Sequence, residues 1–349
     1  MGSQPPAVAT IGPVNATAGP IGGAARQASK PRVLVLGDLM LDVVLMATRS
    51  VETGTDVPGR VEIRQGGSAA NTARWLGRLG VAVQLVCAIG RDGAGRSLVL
   101  QLERDGVTVH ARRVAASRTG RIGVLVEPGG ERSFVADRRA ADLLGPDDVR
   151  EAWFERLDLV HLPIYSLLGD PLGRAGRRAI EHAKARGVLV SLDLASIGPL
   201  LSSGRRAARD LVAGTHPDLL FATESEAQAL LGRYAPDGLL EFAETVVVKR
   251  GDRGARVVAR RPPRPPATTT GAGIPEPEPP LAFDVATPAI AASDTTGAGD
   301  AFDAGFIAGW LAARSAGRPL ADALHRATLQ GHRTAARHLG APRVELPAG

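Results

Sequence analysis

The segment at 293–302 reads Ser293-Asp294-Thr295-Thr296-Gly297-Ala298-Gly299-Asp300-Ala301-Phe302. Its polar and glycine residues lead directly into an apolar, small-residue segment that continues to Ala312. This change in composition predicts a loop followed by a helix that begins near Gly299. Gly297 and Gly299 allow backbone conformations that turn several N–H groups toward one point, and the helix dipole adds partial positive charge there. The segment therefore predicts an anion-binding helix N-terminus.

Asp300 places a carboxylate beside the predicted anion site. A carboxylate repels a bound phosphate unless it takes up a proton during the reaction. The arrangement is therefore typical of a general base next to a site of phosphoryl transfer. The same residues also fit a simpler interpretation, a glycine-rich turn in which Asp300 is only a helix-start carboxylate.

A second glycine-rich turn lies far upstream, at Gln65-Gly66-Gly67-Ser68-Ala69-Ala70-Asn71-Thr72-Ala73. It opens a predicted helix that runs to Leu79 and stops at Gly80. The paired glycines allow a ligand to approach the backbone closely, and the amide of Asn71 offers donors and an acceptor to hydroxyl groups. Two glycines alone are weak evidence, but two glycines with Asn71 four residues after Gly67, together with the downstream segment, form a specific pattern.

Together, the two segments resemble the two signatures of the ribokinase-like (PfkB) carbohydrate kinases. The resemblance extends over roughly 32–347, and the downstream motif matches in full. It implies that Asp300 is the catalytic base and that the backbone of Gly297, Ala298 and Gly299 forms an anion hole. It also implies an α/β fold with a mostly parallel central sheet, helices on both faces and a small β-sheet lid.

Composition limits the remaining possibilities. The chain has 349 residues, 44% of them hydrophobic and 3% aromatic, which supports one α/β enzyme with an Ala, Val and Leu core. Cys87 is the only cysteine, which excludes an intramolecular disulfide and a multi-cysteine metal site. The net charge is +6, but the arginines are spread along the chain and stacking aromatics are scarce, which disfavours nucleic-acid binding. No apolar run is long enough to span a membrane, and no secretory signal is present, so we expect a cytoplasmic protein.

The order of the predicted elements defines the domains. Residues 1–30 are rich in Ala, Gly, Pro and Ser and predict a disordered tail. Apolar runs alternating with helical patterns predict a kinase domain at 31–347. The resemblance places the lid at about 47–65 and 119–138, and the alternating residues at 51–64 predict two short strands joined by a turn. A proline-rich stretch at about 260–280 predicts a flexible insertion in a hairpin.

The candidate residues for binding the acceptor of the phosphoryl group lie in the first part of the chain. Asp42 follows the first predicted strand, at the edge where parallel sheets bind ligands. The resemblance implies that Asp42, Gly67 and Asn71 bind the acceptor hydroxyls, although Asp42 also fits a simple turn. Met40 stands where related ribokinases often carry Asn, and Tyr165 lies where many carry a sugar-binding Glu. The acceptor is therefore not identified.

The candidate residues for nucleotide binding lie in the second part of the chain. Glu226 matches the last residue of the family's Asn-x-x-Glu motif, whereas Thr223 replaces the Asn. Glu226 is expected to act on Mg²⁺ through water, with a helix-start carboxylate as the alternative. Lys249 or Arg250 fits a phosphate contact, and either also fits a solvated surface charge. The resemblance implies K⁺ stimulation with Asp294 near that ion. The expected nucleotide contacts are Glu226, Lys249, Gly251, Gly254 and Thr295.

The sequence thus predicts an ATP- and Mg²⁺-dependent kinase that phosphorylates a hydroxymethyl group of a sugar or sugar-like alcohol. It contains no Gly-x-x-x-x-Gly-Lys-Ser/Thr and no Gly-x-Gly-x-x-Gly, which disfavours P-loop kinases and dinucleotide enzymes. A nucleoside kinase and a 2-keto-3-deoxygluconate kinase stay open, as does a catalytically weak, nucleotide-binding regulatory protein on the same fold. The resemblance also implies a homodimer that pairs through the lid.

Overall fold

The computed structural model describes residues 30–261, 278–288, 290, 292, 294–342 and 345–346. The predicted tail and most of the predicted insertion lie outside the described residues. None of the helices in the described ranges is both long and apolar enough to cross a membrane. The strands are β1 (Arg32–Leu36), β2 (Met40–Ala47), β3 (Gly59–Gly66), β4 (Ala82–Gly90), β5 (Val107–Val114), β6 (Arg121–Val126), β7 (Arg132–Asp137), β8 (Leu159–Pro163), β9 (Leu189–Asp193), β10 (Leu219–Thr223), β11 (Thr245–Lys249), β12 (Ala255–Ala259) and β13 (Leu281–Val285). The α-helices are α1 (Ser68–Arg78), α2 (Gly93–Arg104), α3 (Leu172–Lys184), α4 (Ile197–Leu200), α5 (Arg205–Thr215), α6 (Glu224–Leu231), α7 (Ala298–Ser315) and α8 (Leu320–Gly340).

The large sheet has the strand order β13-β12-β11-β10-β9-β8-β1-β4-β5. From β11 to β5 every neighbouring pair is parallel, whereas β12 runs antiparallel to both β11 and β13. The carboxyl ends of the parallel strands therefore meet at one edge, where open α/β sheets bind ligands.

Helices cover both faces of this sheet. Along β1, Val33 and Val35 point into one core and Leu34 and Leu36 into the other, and all four side chains are fully buried. A strand buried on both faces is a continuous apolar run, as β1 is. The first core contains residues of α1, α2, α7 and α8, and the second contains residues of α3, α5 and α6. The predicted fold class is confirmed.

A small sheet with the order β3-β2-β6-β7 lies apart from the large one. Its central pair, β2 and β6, is parallel, and the two outer pairs are antiparallel. The sheet starts at Met40, earlier than the predicted start near 47. The prediction of two short strands before Gly66 is wrong, because only 59–66 forms a strand there, and its partner is β2. The polar, turn-forming residues at 48–58 connect the two strands.

Candidate active site

A cavity of about 850 Å³ lies between the small sheet and the carboxyl edge of the large sheet. Ile122, Val124 and Phe134 line it from the small sheet, and the last residues of β9, β10 and β11 line it from the large one. The residues predicted from sequence that line this cavity are Asp42, Gly67, Asn71, Glu226, Lys249, Gly297, Gly299 and Asp300.

Asp300 lies in the first turn of α7, directly after Gly297, which adopts the left-handed conformation with φ of 80°. Ser68 donates a hydrogen bond to Oδ1 of Asp300 at 2.7 Å, and the side-chain amide of Asn71 donates one to Oδ2 at 2.9 Å. Burial raises the pKa of Asp300 from 3.8 to about 6, against the effect of these two hydrogen bonds. The carboxylate is thus oriented by the upstream motif and able to exchange a proton near neutral pH.

Backbone amides at the start of α7 face the same space. The N–H of Ala298 donates to the carbonyl of Thr295 at 3.1 Å, and Ala298 is not among the residues that line the cavity. The N–H groups of Gly297, Gly299 and Asp300 have no hydrogen-bond partner in the described part of the chain. These are first-turn groups that a helix leaves unsatisfied, and they suit an anion.

A histidine at the far end of α8 supports this loop. Nε2 of His338 donates to the carbonyl of Thr296 at 2.6 Å, and the indole N–H of Trp75 donates to Nδ1 of His338 at 3.1 Å. Because the indole can only donate, Nδ1 must accept and Nε2 must carry the proton. The spacing of the histidines along α8 contains no signal for this contact.

Asp42 lies on β2 and is 8% exposed. Its Oδ1 atom is buried without a hydrogen-bond partner in the described residues. Burial raises its pKa from 3.8 to about 7, with further increases from Asp38 and Asp300, while Arg64 lowers it. A Cβ atom at Gly66 would lie 1.8 Å from this oxygen, so the first glycine of the upstream turn leaves room for the carboxylate. Asp42 is thus a buried acid that faces the cavity.

Asp38 connects the upstream turn to the small sheet. Its Oδ1 atom accepts from the backbone N–H of Ala69, and its Oδ2 atom accepts from Arg138 at 3.0 Å. The guanidinium of Arg138 lies 5.1 Å from the ring centre of Tyr165, within the range of a cation–π contact. Gly67 has φ of 98°, and a Cβ atom there would lie 2.6 Å from the carbonyl oxygen of Asp38. A side chain at Gly67 would therefore disrupt the turn.

Lys249 is held beneath the start of α7 by two carboxylates. Its Nζ atom lies 3.1 Å from Asp193 and 3.0 Å from Asp303. Burial lowers the pKa of Lys249, but Asp193, Asp303 and Glu226 together raise it well above its usual value. A Cβ atom at Gly299 would lie 3.5 Å from Nζ. The burial and pairing of this ammonium group exclude a solvated surface charge. Lys249 lines the cavity, and its contact with a phosphate stays a prediction.

Glu226 is a helix-start carboxylate, which was the alternative prediction, and its role on Mg²⁺ stays a prediction. Its Oε2 atom accepts from the backbone N–H of Thr223 at 2.7 Å, which forms a capping box at the start of α6. It also lines the cavity, where burial and the nearby Asp193 raise its pKa. No group of three acidic, histidine or cysteine side chains in the described ranges could hold a metal alone. The oxygen donors of Glu226 and Asp193 nonetheless suit Mg²⁺, which keeps most of its water and shares phosphate oxygens.

The remaining predicted contacts do not line the cavity. Thr295 is exposed, and its hydroxyl accepts from Arg132 at 2.7 Å. Asp294 binds Arg64, with Nη1 and Oδ2 2.6 Å apart. Gly251 and Gly254 belong to the turn between β11 and β12, where a Cβ atom at Gly254 would lie 2.1 Å from the carbonyl oxygen of Val285. The nucleotide roles of Thr295, Gly251 and Gly254 stay predictions.

The family model of pfkB family carbohydrate kinases matches residues 30–341. An ATP-dependent ribose-1-phosphate kinase of Halopiger xanaduensis is 34% identical over 283 residues, which cover 80% of this chain and 85% of that protein. A ribokinase of Mus musculus is 27% identical over 80% of this chain and 81% of its own length.

Two solved structures share the fold. The adenosine kinase of Sinorhizobium meliloti superposes with a TM-score of 0.73 at 22% identity, covering 91% of this chain and 98% of that one. A ribokinase II structure from E. coli in complex with ATP and Mg²⁺ superposes with a TM-score of 0.71 at 23% identity, covering 90% of this chain and 94% of that one.

Proposed function

The chain belongs to the pfkB family of carbohydrate kinases, and we propose that it transfers the γ-phosphoryl group of ATP to a hydroxymethyl group of a sugar-like acceptor, with Asp300 as the base. The observation that carries the proposal is the position of Asp300. Its carboxylate lies in the cavity at the N-terminus of α7, beside unsatisfied amides, and Ser68 and Asn71 orient it. A base with a pKa of about 6 is ionised at neutral pH yet basic enough to accept a proton.

The proposed step follows from this geometry. Asp300 accepts the hydroxyl proton as the acceptor oxygen bonds to the γ-phosphorus. The bond from that phosphorus to the bridging oxygen breaks, and ADP leaves with the electron pair. The amides of Gly297, Gly299 and Asp300 stabilise the charge on the transferring group. Because the N–H of Ala298 is already used within the loop, the amide of Asp300 takes the place that the sequence assigned to Ala298.

We propose that magnesium and ATP bind where Glu226 and Lys249 line the cavity. When bound, Mg²⁺ neutralises charge on the phosphate oxygens. We propose that Glu226 orients water on the metal, and that Lys249, held by Asp193 and Asp303, supplies a fixed positive charge beneath the loop. The protein does not have to supply every ligand of Mg²⁺, since the phosphate oxygens of the substrate supply some of them.

We propose that Asp42 and Asn71 bind the acceptor hydroxyls. The unpartnered Oδ1 of Asp42 supports this, because a buried carboxylate oxygen without a donor is costly unless a ligand hydroxyl supplies one. The names of the relatives suggest ribose 1-phosphate, ribose, fructose and adenosine as acceptors to test. A sugar acid such as 2-keto-3-deoxygluconate stays an alternative.

We further propose that the small sheet acts as the lid, and that two copies pair through its outer face. Its inner face lines the cavity, so its closure would exclude water from the phosphoryl group. The outer face carries the apolar side chains of Leu45, Val61, Ile63 and Val135, which are between 39% and 77% exposed. Contiguous exposed apolar side chains of this kind are typical of a protein interface.

The test is a coupled ADP-release screen over these acceptors, with and without Mg²⁺, followed by kinetics of two variants. Asp300→Asn keeps the shape but cannot accept the proton, so kcat should fall at least about 10²-fold while ATP affinity, measured by calorimetry, is retained. Asp42→Ala should raise the acceptor KM far more than the ATP KM. Near wild-type turnover by folded Asp300→Asn would refute the mechanism. ATP binding without turnover on any acceptor would favour the regulatory protein instead.

A further inference from the structure

The family resemblance assigns a potassium ion to the neighbourhood of Asp294, and the contacts of Asp294 do not fit that ion. Oδ2 of Asp294 accepts from Nη1 of Arg64 at 2.6 Å, and Oδ1 accepts from the backbone N–H of Thr296 at 2.9 Å. Nη1 of Arg132 lies 3.9 Å from Oδ1. Two guanidinium groups thus already surround this carboxylate.

The side chain of Arg64 is held in place by the carboxylates of Glu62 and Asp294. Its Nε donates to Oε2 of Glu62 at 2.6 Å, and its Nη2 forms an ion pair with the same carboxylate. Glu62 and Arg64 are two residues apart on β3, so both side chains point to one face of the strand. The side chains of Glu62, Arg64 and Asp294 are 6%, 14% and 18% exposed. Ion pairs shielded from water in this way are screened little by salt and stay oriented.

A potassium ion on Asp294 would have to lie close to the charge of Arg64. The repulsion between two like charges a few ångströms apart is strong in a partly buried site. The ion would also need oxygen ligands on the side that the guanidinium occupies. The residues present therefore do not fit potassium at this carboxylate while Arg64 holds it.

We propose that Arg64 supplies, from the small sheet, the positive charge at Asp294 that the resemblance assigns to potassium, so that catalysis needs no monovalent cation. This inference rests on the proposed kinase function. Arg64 is a positioning residue, because it acts through Asp294. That carboxylate fixes the N–H of Thr296, and the next residue, Gly297, begins the anion-binding turn.

The first experiment compares kcat of the wild-type protein in potassium, sodium and tetramethylammonium chloride at equal ionic strength. Tetramethylammonium is too large to enter a carboxylate site of this kind. We expect the three rates to agree within about twofold, since only general screening changes. Activation by potassium of about tenfold or more, which corresponds to a specific ion site, would overturn the proposal.

The second experiment uses variants of β3. Arg64→Gln should lower kcat in tetramethylammonium by about tenfold or more, and potassium should restore part of the loss because the carboxylate becomes open to an ion. Arg64→Lys keeps the charge and should stay independent of potassium. Arg60→Gln is the matched control, because Arg60 also pairs with Glu62, at 2.6 Å, yet is 72% exposed and makes no ion pair with Asp294. A fully active Arg64→Gln without any cation response would refute the role of Arg64.

Thermal unfolding of the wild type in the same salts separates this inference from the kinase function. A cation that binds the folded protein raises its melting temperature by mass action. We expect equal melting temperatures in potassium and tetramethylammonium. A rise specific to potassium would overturn the inference even if no acceptor were phosphorylated, whereas absent turnover with equal melting temperatures would refute the function alone.

Discussion

Asp300 is subject to opposing influences on its acidity. Burial raises its pKa and Asp193 adds to the increase, while the hydrogen bonds from Ser68 and Asn71 and the charge of Lys249 lower it. A hydrogen bond to the ionised carboxylate stabilises the charged form, so its removal must raise the pKa. Ser68 is the smaller change to make, because it donates a single bond through its hydroxyl.

Ser68→Ala should therefore move the acidic limb of kcat/KM to higher pH. In the wild type the rate should fall as pH drops through about 6, because a protonated Asp300 cannot act as a base. Loss of one charged hydrogen bond should move this limb up by about one pH unit. Ser68→Thr retains the hydroxyl and serves as the control. An unchanged limb, or one that moves to lower pH, would mean that Asp300 does not control the profile.

At the scale of elements, the two faces of the small sheet differ in character. Asp42, Val124 and Phe134 face the cavity, whereas Leu45, Val61 and Val135 point outward. Strand pleating assigns alternate residues to opposite faces, so the same four strands can line a binding site and carry an apolar interface. The amide of Leu346 donates to the carbonyl of Ile63, which attaches the end of the described chain to the outer strand of this sheet.

Leu45→Lys and Val61→Lys should convert a dimer into a monomer. A charged side chain at the centre of an apolar interface is left desolvated and unpaired. This typically costs at least about 2 kcal/mol of binding free energy. Sedimentation velocity at micromolar concentration gives the mass of each species. Leu100→Lys is the control, because Leu100 is 54% exposed and lies on α2 rather than on a strand of the small sheet. A monomeric wild type, or a variant that stays dimeric, would contradict pairing through this face.

At the scale of the whole molecule, β12 precedes the proline-rich stretch, β13 follows it, and the two strands pair as a hairpin. Their antiparallel register runs from Ala255 opposite Val285 to Ala259 opposite Leu281 without interruption. Beyond the strands, Nε of Arg261 donates to the carbonyl of Pro279 at 3.1 Å. The two ends of the connection are therefore adjacent, and a short turn can join them.

Replacing residues 262–277 by a short Gly/Ser turn should leave folding and activity nearly unchanged. Loop length has a weak effect on stability, so the melting temperature should change by less than about 3 °C. Thermal unfolding and kcat are the measurements. A deletion extended through β13 is the control and should destabilise the protein, since it removes one of the two strands that pair with β12 and leaves that edge of β12 open. A large loss in the first variant would show that the stretch contributes to the fold.

The amino-acid sequence alone predicted the fold class, the candidate base and eight of the residues that line the cavity. Apolar runs predict strands buried on both faces, and glycine followed by an apolar helix predicts a turn whose backbone amides suit an anion. These signals are local, because they reflect the burial and backbone geometry of consecutive residues. The upstream motif with Gly67 and Asn71 and the downstream motif with Gly297 and Asp300 were sufficient to predict one shared site. In the structure, Asn71 donates a hydrogen bond to Asp300.

Which charged groups meet across the molecule depends on the three-dimensional arrangement of the two sheets and could not be read from the sequence. Four contacts join residues far apart in the chain. Strand β2 pairs with β6, His338 binds the carbonyl of Thr296, Lys249 is buried against Asp303, and Arg64 pairs with Asp294. An arginine or a histidine has the same sequence pattern whether it faces solvent or a carboxylate. Its partner is set by how the small sheet lies over the large one, and the periodicity of a single segment contains no information on that placement.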